Sequence, residues 1–342
     1  MKKILITGGA GFIGINLAYS FLKDKDNFVV IYDNLSRKGV ENNLNWLLSF
    51  KFPNLKFIKG DIRNYKKLKE IVSKCNQIYH LAAQVAVTKS VEDPIEDFKI
   101  NGEGTLYLLE AVRKKSPLSV FIFSSTNKVY GELKNFQLKE GKKKYFLVNK
   151  KNGIDEKVNI DFHSPYGNSK GIADQYVRDY YRIYGIKTVV FRQSCIYGPH
   201  QFGNEEQGWV AHFIIKSLLG ETINIYGNGK QVRDILEVSD LIRAYKLAVK
   251  NIQIAKGEIY NIGGGKENTY SLLELIDFLE NLLEKKINYK LYNWRPGDQK
   301  VFISDNKKIK KQLKWKIKIS KEIGIKKLIN WVKKNLTIIN KK

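Results

Sequence analysis

Short apolar runs and amphipathic stretches alternate along the first half of the chain, and their periods predict a series of strand–helix units. Residues 4–7, Ile-Leu-Ile-Thr, read as a buried strand leading into Gly8-Gly9-Ala10-Gly11-Phe12-Ile13-Gly14 and a helix through Leu22. Further strands are expected at 28–32, at 55–59 before Gly60-Asp61-Ile62-Arg63, and at 77–83, 119–125 and 188–192. Helices are expected between them: one reaching about Ile71, one over 101–113 and a long one over 165–184. Residues 132–162 interrupt this rhythm as a polar, lysine-rich excursion. The alternation implies an α/β, Rossmann-type fold built on a doubly wound, mostly parallel sheet.

Beyond residue 193 the pattern becomes irregular. Segments 194–231 and 263–338 are expected to form a smaller, interleaved α/β substrate-binding lobe over the open ends of the sheet. Segment 232–262 is expected to return to the first lobe, residues 1–193.

Length and composition support this picture: 342 residues, 43% hydrophobic, with 26 glycines and only 6 prolines, suit a packed α/β chain rather than a fibrous or low-complexity one. The formal charge of +26 raises the question of nucleic acid. Its distribution argues against that, because lysines are spread along the chain, with small clusters at Lys142–Lys144, Lys150–Lys151, Lys307–Lys308 and Lys310–Lys311. No zinc-finger spacing, RNP-like strand or arginine-rich stripe accompanies them. The positive field suits an anionic small ligand such as a sugar diphosphate. Cys75 and Cys195 are too few for a disulfide framework and lack metal-ligand company. The first residues lack a signal-peptide pattern and no stretch approaches a membrane span, so the expected address is the cytoplasm, without a membrane partner.

Gly8, Gly11 and Gly14 give a GxxGxxG spacing after a strand and at the head of a helix, the context in which backbone approaches a pyrophosphate. Asp33, at the end of the next strand, is placed to accept hydrogen bonds from an adenosine ribose, which favours NAD; Arg37 and Lys38 close by keep NADP open. Asp61, ending the third strand, is placed to cap the adenine, with a helix N-cap as its alternative. Tyr166 and Lys170 are four apart at the start of a helix and so share a face. An ammonium there would favour the phenolate of a residue whose free pKa is about 10. Tyr65–Lys69 has the same spacing, so position decides: Tyr166–Lys170 follows Ser124-Ser125-Thr126 at a strand's carboxyl end. Thr126 is expected to hydrogen-bond the reacting sugar oxygen and Ser124 to contact the cofactor. Asn101, opening its helix, is either an N-cap or a support for the Tyr–Lys pair.

These residues make the chain resemble the extended short-chain dehydrogenase/reductase family, in particular its nucleotide-sugar epimerases and dehydratases. The strings that carry the resemblance are Thr7 to Gly14, Asp33-Asn34-Leu35-Ser36, Gly60-Asp61, Ser124 to Gly131 and Ser164-Pro165-Tyr166-Gly167-Asn168-Ser169-Lys170. Within the family, Ser36-Arg37-Lys38-Gly39, Thr126-Asn127-Lys128-Val129, Asp161-Phe162-His163 and Gln207-Gly208-Trp209-Val210 look most like members that act on CDP-linked dideoxysugars. The resemblance implies an NAD-dependent isomerase that inverts C2 of a CDP-linked 3,6-dideoxyhexose through a transient 2-keto sugar, for O-antigen synthesis. Tyr166, Lys170 and Thr126 would be the catalytic set. Phe12, Ile13, Asn34, Ser36, Arg37 and Ile62 would join the glycines and aspartates around NAD, as would Leu81, Ala82, Ala83, Asn101 and Ser124. Asn127, His163, Gln193 and Trp209 would face the substrate, and Arg233 and Arg295 would hold its diphosphate.

Two departures matter. Family 4,6-dehydratases follow the threonine with Asp-Glu, whereas Asn127 and Lys128 stand here; neither an amide nor an ammonium supplies that acid–base pair. Cys195 stands where many 4-epimerases carry an asparagine on the diphosphate. Such enzymes assemble as homodimers or homotetramers, for which the exposed helical faces near 103–115 and 168–184 are natural surfaces. The residues leave open another UDP- or dTDP-sugar epimerase, a net reductase, and a non-catalytic NAD-binding scaffold.

Overall fold

The computed structural model describes residues 1–150, 152–295 and 297–340; Lys151, named above, lies outside the described residues. Seven parallel strands form the main sheet: β1 (Lys2–Thr7), β2 (Asn27–Asp33), β3 (Leu55–Lys59), β4 (Gln77–His80), β5 (Val120–Thr126), β6 (Lys187–Gln193) and β7 (Ile259–Ile262). Their spatial order is β7-β6-β5-β4-β1-β2-β3, so the chain winds outward in both directions from the β1–β4 junction.

Side-chain alternation explains why these strands read as nearly continuous apolar runs. Ile4, Ile6, Val29, Ile31, Ile122 and Val189 enter one core, whereas Leu5, Val30, Ile78, Phe121, Phe123 and Val190 enter another on the opposite face. Both faces are covered, so neither parity can be polar. In β1–β2 the register pairs Ile4 with Val29 and Ile6 with Ile31, and in β5–β6 it pairs Thr126 with Gln193. The helices α1 (Phe12–Leu22), α2 (Gly104–Lys115) and α3 (Ser164–Tyr184) supply part of that cover.

The outlines depart from the sequence expectations in four places. The strand expected over 77–83 ends at His80, because Leu81, Ala82 and Ala83 run out over the sheet edge and line a cavity. The helix expected from Asn101 is entered through a π-helical turn, Lys99–Glu103, that seats Asn101 inside the helical run. The polar excursion contains a small hairpin, Leu138–Glu140 with Tyr145–Leu147, and a fully buried Ile154 whose N–H donates to Ile303 O at 2.7 Å. Of segment 232–262, Val232–Glu237 pairs with Cys195–Tyr197, Thr269–Ser271 and Val301–Phe302 in a second sheet. The rest of the segment turns back: Leu241, Ala244, Tyr245 and Ala248 pack on the main sheet and β7 joins its edge.

A third core gathers Val210, Phe213 and Ile214 from helix α4 (Trp209–Leu219), Leu275 and Leu279 from Leu272–Leu283, and Ile325, Leu328 and Val332 from Lys321–Ile339. This material stands beside the carboxyl ends of the main strands. Among the described residues no helix is long and apolar enough to cross a membrane.

Candidate active site

The carboxyl ends of β1, β2, β4, β5 and β6 open into a cavity of about 1170 Å3, roofed on its far side by residues 201–209. This lies above the range of roughly 300–1,000 Å3 for an ordinary small-molecule site and leaves room for a dinucleotide beside a second ligand.

At one end the walls are backbone. Gly8 has φ 68°, and a Cβ there would lie 2.6 Å from Ala82 N. A Cβ on Gly14 would lie 2.4 Å from Gly8 O and 2.6 Å from the Gly9 Cα, so α1 reaches its place only without one. Gly11 precedes α1 in extended conformation and no side chain caps the helix, which leaves first-turn N–H groups free for an anion. Phe12 and Ile13 line the cavity there, joined by Asn34, Ser36, Arg37, Ile62, Leu81, Ala82 and Ala83.

Asp33 closes this end. Its carboxylate accepts from Ala10 N at 3.0 Å and Leu35 N at 2.9 Å, and burial raises its pKa against the pull of those donors. Asp61 is bound differently: Arg63 donates Nε to Oδ1 and Nη2 to Oδ2, both at 2.8 Å, and Asn34 Nδ2 adds a bond at 3.1 Å. Chiefly through the Arg63 bonds, its pKa falls to about 2. The N-cap of the helix after it is Asn64, which accepts from Lys67 N at 3.0 Å, so that alternative for Asp61 falls away. Arg37 crosses the cavity and donates to Gln207 Oε1. This cradle of Cβ-free backbone, open helix terminus and terminal carboxylate fits a dinucleotide.

Thr126, Tyr166 and Lys170 meet in the middle of the cavity wall, with Ser124, Asn127 and Gln193 beside them. Lys170 is nine-tenths and more buried, donates to Ser124 O at 2.7 Å and lies 4.2 Å from the Phe123 ring centroid. Burial lowers its pKa to about 7. Burial likewise raises Tyr166 to about 12, with a Thr126 hydrogen bond and the Arg37 charge pulling the other way. In this arrangement Arg37 is the cation whose charge pulls the phenol down, and Lys170 places one of its three N–H donors on the Ser124 carbonyl. Gln193 Nε2 donates to Ser124 Oγ at 2.8 Å, and Asn127 Nδ2 to Gln299 Oε1 at 3.2 Å. Trp209 lines the cavity at the head of α4.

Four expected site residues face elsewhere. Asn101 does not cap a helix or line the cavity; its Oδ1 accepts from Gln84 N at 3.0 Å and its Nδ2 reaches Ser169 Oγ at 3.1 Å. It ties the loop after β4 to α3 and so supports the pair. His163 forms a 3.1 Å contact with Glu132 rather than lining the cavity, because the chain entering α3 turns it outward against Gly297. Arg233 donates to Asp298 Oδ1 at 2.7 Å, and Arg295 donates to Glu205 O at 3.0 Å while stacking 3.8 Å above the Tyr226 ring. Both arginines stand behind the cavity wall, held by acids.

The sequence reading missed Gln84 and the loop 201–207 as wall residues. It also missed the support under β5, where Asp174 accepts from Arg192 Nε and Nη2, each at 2.9 Å, and from Ser125 Oγ at 2.7 Å. A buried aspartate two turns along a catalytic helix, and an arginine inside an apolar strand, were the available signals.

The profile of the family described as GDP-mannose 4,6 dehydratase matches residues 5–328. A CDP-paratose 2-epimerase of Salmonella typhi is 46% identical over 336 residues, covering 96% of this chain and 98% of that protein. A UDP-glucuronate 4-epimerase of Thermodesulfobacterium geofontis is 33% identical, covering 99% and 98%. Among solved structures, the UDP-glucuronic acid 4-epimerase of Bacillus cereus, in complex with UDP-glucuronic acid and NAD, superposes with a TM-score of 0.84 at 29% identity, covering 97% and 99%.

Proposed function

The chain belongs to the extended short-chain dehydrogenase/reductase family of NAD-dependent nucleotide-sugar epimerases and dehydratases, and from that premise we propose that it interconverts CDP-paratose and CDP-tyvelose by inversion at C2. It is an enzyme and its cofactor is NAD. One observation carries the choice of epimerase: Thr126, Tyr166 and Lys170 share a cavity wall, and Asn127-Lys128 follow where a dehydratase needs an acid–base pair. The 46% identity with the Salmonella epimerase supports the CDP-linked dideoxysugar.

NAD, when bound, supplies a hydride acceptor and donor and, in its oxidised form, a positive charge near the phenol. Gly8, Gly11 and Gly14 admit its pyrophosphate, and Asp33 receives its adenosine ribose. Tyr166 takes the proton from the C2 hydroxyl as the sugar becomes a transient 2-keto species. After the sugar has turned in the cavity, the same tyrosine returns that proton to the C2 oxygen. Net redox is zero and no water leaves, so Asn127 and Lys128 need not act as acid or base. Thr126 orients the sugar oxygen, and Lys170, fixed on the Ser124 carbonyl, holds a ribose hydroxyl. Residues 1–193 with 238–262 would carry the cofactor, and 194–237 with 263–338 the nucleotide sugar. We place the activity in the cytoplasm, in a homodimer or homotetramer feeding O-antigen synthesis.

The test is proton NMR of the purified protein with CDP-paratose and no added coenzyme. The expected result is CDP-tyvelose, with Tyr166→Phe slower by about 10²–10⁴-fold. No conversion even with NAD supplied would overturn the substrate assignment. Turnover of UDP- or dTDP-hexoses in the same format would then establish a different epimerase.

A further inference from the structure

Lys128 is the one cation of a buried charge cluster that reaches the cavity, and we infer that it is a binding residue for the diphosphate of the nucleotide sugar. This rests on the nucleotide-sugar reading above.

The turn Asn127–Tyr130 directly follows Thr126, whose Oγ1 accepts from Lys128 N at 3.2 Å. The lysine backbone is thus tied to the residue expected on the reacting sugar oxygen. Its side chain, 20% exposed, runs to Gly297 O at 3.3 Å and Asp298 Oδ1 at 3.5 Å. The same Oδ1 accepts from Arg233 Nη2 at 2.7 Å. Two cations therefore share one carboxylate. The nearby acid Glu132 is already engaged by Lys134 at 2.9 Å and His163 at 3.1 Å. Three charges of net sign +1 in a half-dry pocket favour the arrival of an anion, because a charge out of water is costly until paired.

Of the two cations, Arg233 is 9% exposed and stands behind the wall, whereas Lys128 lines the cavity. An ammonium on a flexible stem can leave Asp298 for a phosphate oxygen while Arg233 keeps the carboxylate occupied. The anion would then sit one residue beyond Asn127 and two beyond Thr126, fixing one end of a sugar that must turn about its attachment.

Titrations of the NAD-loaded protein by calorimetry with CDP and with cytidine test this. Lys128→Met is expected to weaken CDP by about tenfold to a hundredfold, the range for a charge-assisted hydrogen bond, and to leave cytidine unchanged. Lys128→Arg should recover most of the loss. Unchanged CDP affinity, or equal losses for CDP and cytidine, would overturn the assignment. Asp298→Asn gives an independent arm: freeing both cations should tighten CDP, and no tightening also counts against it. Wild type is titrated in parallel with UDP and dTDP. If one of these binds better than CDP, only the cytosine assignment falls, and the Lys128 comparison is made with that diphosphate and its nucleoside. If none binds, both readings fall.

Discussion

At the cofactor end of the cavity, Gly8, Gly14 and the Leu81–Ala82 backbone pack so closely that no Cβ fits between them. At the other end, the groups expected to hold a diphosphate are long charged side chains: Arg233 on Asp298, Arg295 on Glu205 and Glu206, Lys128 between Asp298 and Gly297 O. The first end is preorganised by sterics and costs nothing to rearrange when a ligand arrives. The second is held by ion pairs that a ligand must exchange for its own. On the proposed function, that difference predicts tight retention of NAD and exchange of the nucleotide sugar, since only the exchangeable end has to release its occupant.

The comparison breaks most sharply at Gly14. Gly14→Ala sets a Cβ 2.4 Å from Gly8 O, on backbone that cannot swing aside, and overpacking of that kind costs about 1–3 kcal/mol. We expect a lower Tm and protein that purifies without NAD. Gly11→Ala, whose Cβ would meet only Gly8 O at 3.1 Å, should keep more of the wild-type Tm. Equal NAD retention by Gly14→Ala and wild type, read by chromatography of the released cofactor, would refute the steric account.

Arg295→Met probes the exchangeable end. Because Arg295 stands behind the cavity wall on Glu205 and Glu206, its loss should weaken CDP by no more than about fivefold while NAD retention stays as in wild type. A parallel fall in NAD retention would show that the two ends are not independent.

The smallest effect is expected where the ends meet. Burial lowers Lys170 to about 7 from the ordinary lysine value of 10.5. The unfolded chain therefore holds this proton over a pH range in which the folded chain has released it, and stability rises with pH across that range. The penalty is full below pH 7 and fades towards pH 10. Lys170→Met should lose activity, yet match or exceed wild type in Tm at pH 7, by a few degrees at most, with the gap closing by pH 9.5. A gap that widens with pH would contradict the burial of the ammonium.

Much of this site was legible because it is local. The glycines, the strand before them and the helix after them fall within 22 residues, and Tyr166 and Lys170 within one helical turn. Periodicity places such groups without knowledge of the rest of the chain. Asp33 was legible too, since a strand's last residue lies at the carboxyl edge whatever its neighbours do. Asn101 was misplaced because a π turn, decided by packing against α3 and the Gln84 loop, carries no clear local signature.

The sequence alone determined the fold class, the glycine turn ahead of α1 and the shared helix face of Tyr166 and Lys170, because apolar period, glycine spacing and a four-residue helical offset are short-range properties. Only the tertiary structure decided which charges meet. Arg233 finds Asp298 across 65 residues, Arg295 finds Glu205 across 90, and Val232–Glu237 leaves the main sheet for the strand at Cys195–Tyr197. Pairings at that separation depend on where the whole backbone returns, and a single chain of residues does not encode them in any local pattern.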